Sequence, residues 1–131
     1  DKAGKIAYLN EKDYYYRIRP NSIQTASFNP KKLDLLDQLN VVKSIVQTTY
    51  PSIINAYYSK EQSALFNLYM NISPDDTKEM LGIADDLWHG IKKNRISVLK
   101  DREARPDARI ASLLSFLGSI PCRCVYKLVR K

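Results

Sequence analysis

At 131 residues and 44% apolar, the chain is long enough for one domain with a real core. No apolar run approaches the ~18 residues expected of a transmembrane helix. Its two cysteines, Cys122 and Cys124, lie in a Cys-x-Cys pair with one distant histidine, His89; two further zinc ligands are lacking nearby, and reduced cytosolic thiols are expected. The net charge of +7 is uneven: residues 1–91 hold 10 Lys/Arg against 11 Asp/Glu, and residues 92–131 hold 11 against 3. Such a split points to an anionic partner, membrane or nucleic acid.

In chain order, Lys5–Leu9 reads as a short strand, Asn10–Asp13 as a polar break, and Tyr14–Arg19 as a second strand of a β-hairpin. Alternation puts Tyr14, Tyr16 and Ile18 on one face and Tyr15, Arg17 and Arg19 on the other. Two guanidinium forks on one side, with Ser22 in the turn that follows, suit a phosphate or diphosphate. The same spacing also fits a solvated hairpin face with incidental arginines.

The run Leu9-Asn10-Glu11-Lys12-Asp13-Tyr14-Tyr15-Tyr16-Arg17-Ile18-Arg19-Pro20-Asn21-Ser22-Ile23 resembles the segment that closes the catalytic domain of bacterial family-2 glycosyltransferases. There a Tyr-rich strand leads into Arg-x-Arg-x-x-Ser-Ile; Asp13 departs from the apolar residue usual before the tyrosines. The resemblance covers residues 5–28. It implies a GT-A enzyme, in which a nucleotide-diphosphate sugar and a divalent metal, Mg or Mn, sit at the edge of a Rossmann-like sheet. Tyr16, Arg17, Arg19 and Ser22 are the positions it assigns to the donor diphosphate. It further implies a growing glycan as acceptor, at the inner face of the cytoplasmic membrane.

The Asp-x-Asp-like metal motif and the Glu-Asp pair that such an enzyme needs are not in this sequence. Asp75-Asp76 and Asp85-Asp86 are adjacent residues on an expected helix, so each pair diverges. No catalytic or metal-binding residue and no cofactor are therefore assigned to these 131 residues. The chain opens on Asp1 rather than Met, which agrees with a cut piece of a longer chain and equally with processing.

Residues 29–131 are expected to be a helical domain. Asn29-Pro30 reads as a cap and first helical position, and Leu35, Leu39, Val42 and Val46, widened by Leu36 and Ile45, form the apolar stripe of a helix that stops near Tyr50, before Pro51. A second helix spans 52–71, with a face broad enough to touch two neighbours: Ile54, Tyr58, Leu65, Leu68, Tyr69 and Ile72. Ser73-Pro74-Asp75-Asp76 signals the start of a third, with Met80, Ala84, Leu87, Trp88 and Ile91 inward, ending in Lys92–Arg95.

Residues 96–109 read as a connection or a fraying helix. Asp107 is then a candidate cap for a helix carrying Ile110, Leu113, Leu114 and Leu117 on one side, interrupted at Gly118 and Pro121. Cys122–Lys131 forms a last turn or two. The fold class is thus mainly α: a short N-terminal β-hairpin followed by four or five packed helices. Arg109, Leu113, Leu117, Arg123, Lys127 and Arg130 are candidate membrane-surface residues, because an apolar stripe flanked by cations can lie in the plane of an anionic bilayer. The stripe also fits ordinary packing on the other helices. A small basic module for nucleic acid or a protein partner is the competing class, but no nucleic-acid motif supports it and nucleic acid is the disfavoured partner.

Overall fold

The computed structural model describes Lys5, Ala7, Tyr8, Asn10 and residues 28–129. Those four N-terminal residues apart, the expected hairpin and the resemblance segment, with Tyr16, Arg17, Arg19 and Ser22, lie outside the described residues. What is described is mainly helical, with no strand. Five helices follow one another: α1 (Asp34–Thr49), α2 (Ile54–Asn71), α3 (Lys78–Lys100), α4 (Pro106–Leu114) and α5 (Ser119–Val129), with 3₁₀ turns at Pro30–Leu33, Pro51–Ile53 and Ser115–Leu117.

Local chemistry sets the first boundaries. The Asn29 side chain accepts from the Lys31 N–H at 3.0 Å, Pro30 takes the first helical position, and the 3₁₀ turn runs on into α1. Pro51 holds Tyr50 in a non-helical conformation, φ −133° and ψ 54°, and α1 ends there.

Both ends of α3 depart from the expected ones, and α5 starts at Ser119 with Pro121 inside it rather than at Cys122. Ser73–Asp76 is a turn before α3, not its cap: the Ser73 hydroxyl accepts from the Asp75 N–H and the Asp76 carboxylate from the Ser73 N–H, both at 3.3 Å. With those groups engaged, Thr77 caps the helix by accepting from the Met80 N–H. At its other end α3 runs past Arg95 to Lys100. Val98 is buried there against Ala104 and Ala108, so packing carries the helix through the expected connection.

α2 is the centre of the bundle and packs on α1, α3 and α4. Leu65, Leu68, Tyr69 and Ile72 of α2 meet Ala84, Leu87 and Ile91 of α3 in the main core, which Cys122 closes from α5. A second cluster joins Leu39 and Val46 of α1 to Tyr57 and Ala64. The α1 stripe is covered only in part: Leu39 and Val46 are buried, whereas Leu35, Val42 and Ile45 are exposed, since among the helices α2 alone makes an extensive contact with α1.

Candidate functional site

The described residues bring no group of three His, Cys, Asp or Glu together around a possible metal position. His89 is exposed and its Nδ1 lies 2.9 Å from the Asp85 carbonyl one turn back. The feature that stands out is the orientation of α4. Pro106 opens the helix; Asp107 lies in its first turn and does not cap it. Instead its carboxylate receives Nε and Nη2 of Arg105, each at 3.1 Å, in an exposed pair.

α4 and the turn after it bury their small residues. Ala108, Ala111, Ser112 and Ser115 fall at helical spacing, and all four are buried. Ser112 Oγ accepts from Gln62 Nε2 at 3.0 Å, and the same amide reaches the Ile91 carbonyl at 3.4 Å. Ser115 Oγ donates to the Ser112 carbonyl at 2.7 Å, and the Arg105 N–H donates to Ser59 Oγ at 3.3 Å. Small side chains let α4 approach α2 and α3 closely; the Gln62 Nε2 group is paired there, while its Oε1 is buried without a protein partner.

The large apolar residues consequently face out. Ile110, Leu113 and Leu117 share the opposite side of the helix and are 59%, 62% and 55% exposed. Leu114, at the edge of that side, is the one that reaches the core. Phe116 is half exposed, and Arg95 of α3 lies over its ring at 4.0 Å while donating to the Ser115 carbonyl at 3.4 Å. Gly118, at φ +95°, permits the reversal into α5 that a side chain would strain. In α5, Ile120, Cys124 and Leu128 repeat at four-residue intervals and are exposed, whereas Cys122 and Tyr126 turn inward, Tyr126 edge-on to Phe66.

Of the sequence-nominated membrane-surface residues, Arg109, Leu113 and Leu117 are exposed together, with Arg109 and Leu113 one turn apart. Arg123 does not join them: it is half-buried, donates to the Ile72 carbonyl and stacks 4.0 Å above the Tyr69 ring. Arg130 and the side chain of Lys127 lie outside the described parts. Sequence reasoning missed Phe116, Arg95 and the Gln62–Ser112 pair. The signal was present, since Ala108, Ala111, Ser112 and Ser115 are as periodic as the leucines, but a small-residue stripe attracts less attention than a large one.

Comparison of the chain with protein-family models, curated proteins and solved structures gives no match.

Proposed function

We propose that this chain is the C-terminal part of a GT-A type transferase resembling the bacterial family-2 glycosyltransferases. Such an enzyme passes a sugar from a nucleotide-diphosphate donor to a growing glycan at the cytoplasmic face of the membrane. The observation that carries the reading is the order Tyr14-Tyr15-Tyr16-Arg17-Ile18-Arg19-Pro20-Asn21-Ser22-Ile23, followed in sequence by a run of helices. Residues 1–28 close the catalytic domain in this reading, and residues 29–131 support it and locate it at the membrane surface.

Arg17 and Arg19 carry the chemistry assigned to this chain. Their guanidinium groups offset the charge that builds on the diphosphate as the glycosidic bond breaks, an interaction stronger in the transition state than in the ground state. Tyr16 and Ser22 help to seat the donor. A divalent ion, Mg or Mn, supplies further charge compensation in this enzyme class, and the described residues offer no ligand set that fits it. Its ligands and the catalytic base belong to the sequence upstream of Asp1.

The test has two stages. The coding sequence upstream should contain an Asp-x-Asp-like motif and a Glu-Asp pair, and the longer protein should release nucleotide from a nucleotide-diphosphate sugar in the presence of Mn and an acceptor glycan. Absence of both motifs, or no release with any donor in a panel, overturns the transferase reading.

A further inference from the structure

We infer that the outward side of α4, the Ser115–Leu117 turn and α5 is a docking surface for an anionic lipid bilayer, lying in the membrane plane. The inference deepens the membrane placement proposed above and rests on that reading for its setting, but it stands on the orientation of α4 rather than on sugar transfer.

Three observations support it. First, the exposed residues are large and concentrated: Ile110, Leu113, Phe116, Leu117, Ile120 and Leu128 lie within nineteen consecutive positions. Second, the exposure is built in. Rotating α4 to bury its leucines would expose Ala108 and Ser112 and break the Gln62–Ser112 bond, so the outward face is not a core awaiting closure. Third, the cations match an anionic surface. Exposed Arg109 sits one turn from Leu113, with exposed Arg102 and Lys100 just before the helix, in the part of the chain where Lys and Arg outnumber Asp and Glu.

The dimensions favour an in-plane arrangement. From Pro106 to Leu117 are twelve helical residues, about 18 Å at 1.5 Å per residue, against a hydrocarbon core of about 30 Å. No described helix is long and apolar enough to cross a membrane. A helix of this length lies at the headgroup boundary, its leucines among the upper acyl carbons and its arginine at the phosphates. A second copy of the chain is the weaker occupant, because pairing this face with itself sets the exposed Arg109 of each copy against like charge.

The experiment is sedimentation of residues 1–131 with phosphatidylcholine vesicles, with and without phosphatidylglycerol, at low and high salt. Binding to the anionic vesicles, weakened by salt, is expected. Leu113→Asp should lower the partition coefficient about tenfold or more, and Arg109→Ala about fivefold. Val41→Asp, at an equally exposed position on α1, should leave it unchanged, with Trp88 emission checking that each variant is folded. Leu117→Trp should shift its emission to the blue on anionic vesicles only. Equal binding by Leu113→Asp and the parent, or no preference for anionic lipid, overturns the proposal. So does a dimer that Leu113→Asp dissociates in the absence of any vesicle binding, which assigns the face to a second copy. Vesicle binding through Leu113 with no nucleotide release by the longer protein removes the transferase reading and keeps this surface; the converse result does the opposite.

Discussion

The guanidinium of Arg123 lies 4.0 Å above the ring of Tyr69 and donates to the carbonyl of Ile72, the residue that ends α2. One side chain thus caps a helix C-terminus, stacks on an aromatic face and ties α5 to the centre of the bundle. A cation at that end of α2 also complements its dipole. The same tie holds Cys122 in the core and leaves Ile120, Cys124 and Leu128 outside.

Arg123→Ala should therefore destabilise the chain by about 2–3 kcal/mol, from a charge-assisted hydrogen bond and a cation–π contact. Arg123→Lys should recover less than half of this, since an ammonium cannot stack and fork in one geometry. Urea unfolding followed by Trp88 emission measures both; a loss below about 0.5 kcal/mol would mean that water replaces the contact without cost.

The two cysteines should differ in reactivity. Cys124 is exposed, while Cys122 is buried and its thiol is pushed from 9.0 up to about 11 by burial, with nearby Arg123 opposing. At neutral pH a thiol reagent should modify Cys124 quickly and Cys122 only on unfolding, and Arg123→Ala should speed the second reaction. Mass mapping of the alkylated sites after timed quenching is the readout. Equal rates at both positions in the parent would contradict the described burial.

Alkaline stability follows from the same shift. A thiol whose folded pKa is raised loses its proton first in the unfolded chain, so stability is intact below pH 9.0 and declines as pH rises toward 11. Tyr57 acts in the same sense at still higher pH: burial, then its hydrogen bond to Glu61, raises its pKa above the ordinary tyrosine value. Denaturation midpoints measured across this window should fall with pH, and Cys122→Ala should flatten the fall between pH 9.0 and 11 while leaving the tyrosine part.

A reciprocal pair of substitutions tests the orientation of α4. Ser112→Leu places a large side chain in the close contact with Gln62 and should cost about 2–3 kcal/mol. Leu113→Ser, one residue on, touches a surface position and should change stability by less than about 0.5 kcal/mol. Thermal unfolding of both variants decides: the opposite ranking would mean that the leucine face is the packed one.

Arg17 and Arg19 give a prediction for the proposed longer enzyme. Replacing either with Ala should lower kcat with little change in KM, by roughly tenfold to a hundredfold, if a charge-assisted bond of ~1.5–3 kcal/mol acts on the developing diphosphate charge. Unchanged kinetics in both variants would return the arginines to a solvated face.

The sequence by itself determined what depends on neighbours along the chain. Asn29-Pro30 starts a helical segment and Pro51 ends it, because capping and proline sterics act within a few residues. The apolar period marks the helices, and the breadth of the α2 face marks it as central. Charge bias toward the last forty residues is also a property of sequence alone. Tertiary structure decided the rest. α3 continues to Lys100 because Val98 finds Ala104 and Ala108, residues whose proximity no local window contains. Arg123 points inward because the end of α2 offers both a carbonyl and a ring. In α4 the sequence carries two periodic stripes, one of leucines and one of alanines and serines, and periodicity alone does not rank them. Close approach to Gln62 and Ile91 does: the small side chains fit that contact and Ser112 accepts from the Gln62 Nε2 group, so the leucines are left facing out.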